Sequence, residues 1–325
     1  MNLLIGYLLP ALLISSCALI ALQVARSAPP AVRLSLASVG IVAWLVPWSS
    51  IGYRTMGLPL ATIRQDLAVA AERVVPASFV PDWSWLMVFV PGLIWFAFDL
   101  IAYRATINGW RRDSRCGEAL RRLLPVEIAG RPAEIRIVAD PSVAAATGWR
   151  RPTIWIGDRV LGAGEQRIAL AHEAHHLRRR DPLWLVLIGL IARSFWFNPI
   201  VAALKRQAIL AIESGCDEAC ARSLGRQHYR KSLARLVLVG QASSGPALAP
   251  ALRSSKLDLL RLELLAGNPR MDVRAWVAVL VVAAAGIYGA ALGASGPDPM
   301  PPEDTIAFGL PSHYGYDVPP TWSLD

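Results

Sequence analysis

Charge is missing from long stretches of this 325-residue chain. Residues 3–24, 34–52 and 275–294 contain no Asp, Glu, Lys or Arg, and about 83–102 contains Asp99 alone. Each stretch is long enough to cross a bilayer. With 54% hydrophobic residues and a mean hydropathy of +0.40, the composition excludes an ordinary soluble domain. The near absence of ionisable groups inside these runs argues against a transporter, whose path needs them. The first run also lacks a basic leader and a well-placed A-x-A site, because Arg26 stands three residues before the candidate cleavage point. It therefore reads as an uncleaved span. Cysteine is scarce, at four residues. Cys17 lies inside a span, and Cys116, Cys216 and Cys220 fall on a side expected to be reducing, so no disulfide framework is expected.

Positive charge is unevenly shared. Residues 25–33, 104–182 and 205–274 hold 29 Lys/Arg against 15 Asp/Glu, whereas 53–82 and 295–325 hold 3 against 8. The positive-inside bias then puts the first set in the cytoplasm, with the N-terminus and C-terminal tail outside. It also accounts for the net charge of +9 without a nucleic-acid partner. The expected organisation has a membrane region over 1–103 with three spans and a cytoplasmic domain over 104–272. A last span follows over 273–294, then a short, Pro-rich, acidic, extracytoplasmic tail over 295–325, where Tyr314, Tyr316 and Trp322 offer contacts. Residues 60–75 have amphipathic helical spacing. Asp99 is expected to snorkel to the interface beside Arg104. The basic stretch 110–124 reads as a helix lying on the membrane surface or as a solvated one.

Three of the five histidines fall in one window, His172-Glu173-Ala174-His175-His176, which reads HExxH. The residues before it, Arg167 to Ala171, include no Pro or Gly and favour a helix, expected from about Glu165 to Asp181 with Pro182 as its stop. Positions four apart share a helix face, so His172 and His176 can grip one cation, while His175 points elsewhere and is not expected to ligate. Hydrolytic zinc takes three protein ligands and leaves a place for water, and a neighbouring Glu, here Glu173, then serves as general base. A purely structural site would need no such base.

Around this helix, Glu134–Val138 and residues 152–156 alternate like strands, and the breakers between them (Pro141, Gly148) suggest an antiparallel pair. Residues 183–204 are apolar enough to cross a membrane, but Arg193 sits in the middle and Asn198-Pro199 interrupts them. A full crossing would also part the histidines from the acids that follow. The stretch is therefore expected to be a membrane-associated helical hairpin turning near Asn198. Residues 205–265 look helical, and there Glu213-Ser214-Gly215-Cys216-Asp217 offers a carboxylate ligand and a second acid one turn on. Cys216 and Cys220, four apart, read as small buried thiols rather than metal ligands. His228 and Tyr229 are candidates for polarising a scissile carbonyl.

Taken together, the run Ala171 to Asp181, the element Phe195-Trp196-Phe197-Asn198-Pro199 and the Glu213 to Asp217 segment resemble the BlaR/MecR antirepressor family of membrane metallopeptidases. The weaker pattern Pro141…Gly148…Pro152-x-Ile154 agrees, and the likeness covers roughly residues 80–240. It implies an α-helical multi-pass membrane protein of the bacterial inner membrane with a cytoplasmic, gluzincin-like α+β zinc metalloprotease domain. Carried over by motif, His172, His176 and Glu213 would hold Zn2+, Glu173 would be the general base, and Asp217 would orient a ligating histidine from behind. The implied partners are the bilayer and a cytoplasmic protein substrate such as a winged-helix transcriptional repressor; a homodimer is compatible with this. Well-known members carry a penicillin-binding domain outside, whereas this chain has its short tail and no Ser-x-x-Lys motif, so β-lactam sensing is not expected. Housekeeping membrane proteases of the CAAX-protease or HtpX kind share the HExxH…Glu…Asp order, and a signalling module with a structural metal is the third reading.

Overall fold

Uncharged runs have no way to satisfy their backbone in lipid except as helices, and helices are what these runs form. The computed structural model describes residues 2–46, 84–118, 127–128, 131–140, 143–148, 150–158, 163–241, 255–267 and 269–294. The amphipathic stretch at 60–75 and the tail at 295–325 lie outside the described residues. Apolar helices α1 (Asn2–Val24), α2 (Pro30–Val42), α3 (Ser84–Asp113) and α9 (Val273–Ala294) bracket a mixed domain. Among the described residues one helix, at Met87–Asp113, is long and apolar enough to cross a membrane; the apolar parts of α1, α2 and α9 are shorter. Helix α3 runs ten residues beyond position 103, where the domain was expected to begin.

Among the described residues between α3 and α9 are six strands, β1 (Arg115–Cys116), β2 (Glu127–Ile128), β3 (Arg131–Pro132), β4 (Glu134–Val138), β5 (Ala144–Thr147) and β6 (Thr153–Gly157), and after them five helices, α4 (Ala163–Arg179), α5 (Asp181–Ser194), α6 (Pro199–Leu224), α7 (Arg226–Gln241) and α8 (Ser255–Ala266). Strands β2 and β3 pair with each other, and the other four form one sheet in the order β1-β4-β6-β5. The pairing of β4 with β6 is parallel, Ile135 opposite Ile154 and Ile137 opposite Ile156, which corrects the antiparallel expectation. Alternation reports which faces are buried, not the direction of pairing. The connection back includes β5, whose three alanines give little strand signal, and after Gly148 at φ 79° the chain returns in β6 antiparallel to β5.

Both faces of β6 are buried. On one, Ile154 and Ile156 pack with Ile135 against Ala169, Leu170, Ala174 and Leu177 of α4. On the other, Trp155 packs with Val138, Val143 and the inner end of α3. There Trp110 stands 5.8 Å from Trp155, centroid to centroid, so the first residue of the 110–124 stretch belongs to α3 and covers the sheet, while Arg111, Arg112 and Asp113 are exposed. Residues 119–124 lie outside the described residues.

Helix α4 ends at Arg179, two residues early, and Pro182 falls in the first turn of α5. Proline tolerates a first turn because its missing N–H would be unpaired there anyway, so it opens the next helix. Arg180, at φ 59°, makes the joint. Helices α5 and α6 form a hairpin whose turn ends on Asn198, which caps α6 by accepting from the N–H groups of Ile200 at 2.9 Å and Val201 at 3.3 Å. The turn packs among Trp44, Phe89 and Phe195, and Trp196 Nε1 donates to the Val88 carbonyl at 2.9 Å. Asp99 accepts from Arg193 Nε at 2.7 Å instead of pairing with Arg104, so the two charged misfits of neighbouring apolar helices satisfy each other. Gly92 makes the crossing possible, since a Cβ there would run into the Arg193 carbonyl. Replacing the cap, Asn198→Ala, should cost about 1 kcal/mol, read as a lower unfolding midpoint with the helical signal otherwise kept.

Candidate metal centre

His172 and His176 project from one face of α4, and Glu213 meets them from α6. His176 Nε2 lies 3.1 Å from His172 Nε2. The Glu213 carboxylate is 3.4 Å from His172 Nε2 through Oε2 and 3.6 Å from His176 Nε2 through Oε1. Bonds of about 2.0–2.2 Å around a tetrahedral zinc place neighbouring ligand atoms about 3.3–3.6 Å apart. The three side chains therefore fit one such ion. Glu173, the next residue along α4, is buried, and among the described residues no hydrogen-bond partner takes up its carboxylate.

The protein groups behind the imidazoles decide which nitrogen is free. Asp181, brought round by the Arg180 joint, accepts from His176 Nδ1 at 2.9 Å. Tyr229 donates its hydroxyl hydrogen to Asp217 at 2.7 Å, so its oxygen accepts from His172 Nδ1 at 3.0 Å; Asp217 itself lies 3.3 Å from the same nitrogen. Both rings thus have Nδ1 engaged from behind and turn Nε2, the nitrogen left for a metal, toward Glu213. Tyr229 is fully engaged behind His172 and is not placed to polarise a substrate carbonyl, a correction to its candidate role. His228, one position earlier on α7, is exposed, and no contact among the described residues brings it to the site. His175 lies half-buried off the shared face.

One participant is absent from any motif. Arg261 of α8, 12% exposed in its side chain, clasps Asp217 through Nε at 2.9 Å and Nη2 at 2.8 Å. Its Nη1 reaches Glu213 at 3.2 Å, and its Nη2 stands 3.3 Å from His172 Nε2. Burial by itself would raise the Glu213 pKa, but Arg261, then His176 and His172, outweigh it and hold the carboxyl well below the usual range. Burial would lower the His176 pKa, yet Glu213, Asp181 and Cys216 raise it well above the ordinary value. The Cys216 thiol, 3.4 Å from His176 Nδ1, is pushed up by burial, and Cys220 is pushed up to about 12 by burial and then by Cys216 and Asp217. Neutral thiols suit packing better than ligation. Gly215 keeps α6 bare where the Arg179 guanidinium crosses it.

Sequence reasoning missed Arg261 and the part played by Asp181. A signal for Arg261 existed, since on a helical wheel it shares the inward stripe with Leu257 and Leu265. An arginine on such a stripe calls for buried acids. Asp181 gave no local sign, because its nearness to His176 depends on the left-handed joint before it.

With this geometry in hand, comparison with known proteins is informative. The model of the BlaR1 peptidase M56 family matches residues 63–259. The chain belongs to the BlaR1 peptidase M56 family. It is also similar to the Regulatory protein BlaR1 of Bacillus licheniformis, 28% identical over 105 residues, which cover 31% of this chain and 18% of that protein. The chain thus spans less than a fifth of the relative's length. At the level of the M56 family this is a membrane metallopeptidase, and His172, Glu173, His176, Glu213 and Asp217 lie within the matched residues, with Arg261 two positions beyond them.

Arg261→Met should destabilise the metal-stripped protein by about 3–5 kcal/mol, because it leaves buried Asp217 and Glu213 without their cation. Arg261→Lys should recover part of that loss, and denaturant unfolding of the three proteins would measure both.

Proposed function

We propose that this protein is a multi-pass zinc endopeptidase of the bacterial inner membrane, in which His172, His176 and Glu213 hold the metal and Glu173 is the general base. The observation that carries this reading is the triangle of ligand atoms with a protein-free carboxylate beside it. Zinc, when bound, acts as a Lewis acid that makes water more acidic and a peptide carbonyl more electrophilic. Glu173 takes a proton from the attacking water and returns it to the leaving amine nitrogen. Asp181, and Asp217 through Tyr229, keep the imidazoles turned and more basic. Arg261 balances Asp217 and Glu213, and also reaches Asp258 of its own helix at 3.6 Å. It helps keep the Glu213 carboxyl ionised, as a cation ligand requires.

The membrane placement rests on apolar surfaces that the described residues leave uncovered. The apolar window of α3 is 6% buried, and α9 turns Val273, Trp276, Leu280 and Ile287 outward. Uncovered apolar faces of this extent suit lipid. In this reading α1, α2 with the residues after it, α3 and α9 are the four spans, the hairpin of α5 and α6 lies among them, and the domain over 104–272 faces the cytoplasm. The substrate is a cytoplasmic regulatory protein, with a winged-helix repressor as the leading class, or the protease itself. The name of the B. licheniformis relative supports a regulatory rather than a housekeeping role.

Two tests address the chemistry. Glu173→Gln should keep bound zinc, by metal analysis, and lose about 10²–10⁴-fold in peptide hydrolysis; in cells the new N-termini made by the wild type should vanish, and their persistence at normal rate would refute hydrolysis here. Asp181→Ala should weaken zinc binding about 10–100-fold with the three ligands intact, measured by chelator competition.

A further inference from the structure

Away from the metal centre, a buried charge, Arg33, meets no counter-charge among the described residues. Arg33 stands in the first turn of α2 and is 4% exposed. Its Nη2 donates to Gln207 Oε1 of α6 at 3.2 Å. Its Nε has no hydrogen-bond partner, and among the described residues no carboxylate pairs with it. An ionised group is held in such a place only at a steep desolvation cost unless an anion or a full set of acceptors meets it. A guanidinium with most of its donors idle is also a preformed fork for a phosphate.

The surroundings carry the same sign. Arg26 is close enough to act on Arg33 as a like charge, and Arg26, Arg270 and Arg274 are exposed. The end of α1 and the approach to α9 are joined here, Arg270 N donating to the Ser27 carbonyl at 2.8 Å and Ser27 Oγ to Asp272 at 2.8 Å. Asp272 is the acid of this patch, and it is already engaged in capping α9 through Ala275 N at 2.8 Å. Helix α2 begins at Pro30 with no side-chain cap, so its first-turn N–H groups and positive dipole end add to the same field. Four arginines against one carboxylate thus gather where α1 ends and α2 and α9 begin.

We propose that Arg33, with Arg26 and Arg274 at the rim, binds a phosphate group, supplied by an anionic phospholipid of the inner leaflet. This rests on the membrane placement proposed above, which puts the patch level with the cytoplasmic headgroups. The site abuts the catalytic helix: Gln207 precedes Glu213 by six residues of α6, about 9 Å of helix. A seated headgroup would brace the helix that carries the metal-seeking carboxylate.

The test uses the full-length protein in micelles of the uncharged, phosphate-free detergent dodecylmaltoside, alone, with phosphatidylglycerol, or with inorganic phosphate, and compares wild type with Arg33→Met and Arg33→Lys. Phosphatidylglycerol should raise the wild-type melting temperature and leave Arg33→Met unmoved, with Arg33→Lys between. Without anionic lipid, Arg33→Met should melt no lower than wild type, since it removes an unpaired buried charge. Native mass spectrometry should find phosphatidylglycerol retained at least tenfold more on wild type. An equal response to inorganic phosphate would keep the phosphate site and assign it to the free anion. Identical responses of wild type and Arg33→Met would overturn it. Should Arg33→Met fail to fold, the exposed pair Arg26→Gln and Arg274→Gln serves instead, expected to weaken retention severalfold and counting against the site if it does not. Release of the wild type from membranes by alkaline carbonate would sink the membrane reading; a retained protein indifferent to both phosphates would sink this site alone.

Discussion

Two imidazoles and a carboxylate resist being crowded together out of water, and the crossing of α4 and α6 nevertheless brings each Nε2 within 3.6 Å of a Glu213 oxygen and within 3.1 Å of the other Nε2. The rest of the domain is arranged to make that crowding tolerable. Asp181 and the Tyr229–Asp217 pair engage the Nδ1 atoms, so both rings turn Nε2 inward. Arg261 supplies positive charge from a third helix to the two acids that face it. Each of these groups comes from a different element, and the sheet behind α4 keeps the helix from moving away.

Membrane and domain share their supports rather than meeting at a linker. Helix α3 enters as an apolar rod and ends as part of the hydrophobic cover of the sheet, Trp110 on Trp155. Helix α5 starts at Asp181, which orients His176, and reaches Arg193, which pairs with Asp99 of α3. Helix α6 runs from the Asn198 cap in the hairpin turn to Glu213 and Asp217. A shift of α3 against the hairpin would therefore act on both the ligand on α6 and the group that turns a ligand on α4. Such an arrangement suits the signalling role associated with the BlaR1 peptidase M56 family.

Much of the candidate site was legible because its chemistry is local. HExxH spacing is a property of one helix, and the Glu213 to Asp217 segment lies on one face of another. The hairpin at Asn198 was legible too, since a proline after a capping residue constrains the backbone wherever it occurs. Strand direction was not, because β4 and β6 alternate in the same way whichever direction they pair, and the three alanines of β5 give little strand signal.

What the sequence by itself determined were the helices, the uncharged runs and the metal-seeking residue types, all consequences of periodicity and composition. Only the tertiary structure decided the long-range pairings: Arg261 with Asp217 and Glu213, Asp181 with His176, Arg193 with Asp99, and Arg33 with no acid among the described residues. The physical reason is that an ion pair between distant segments depends on distance and burial, and neither is set until helices cross.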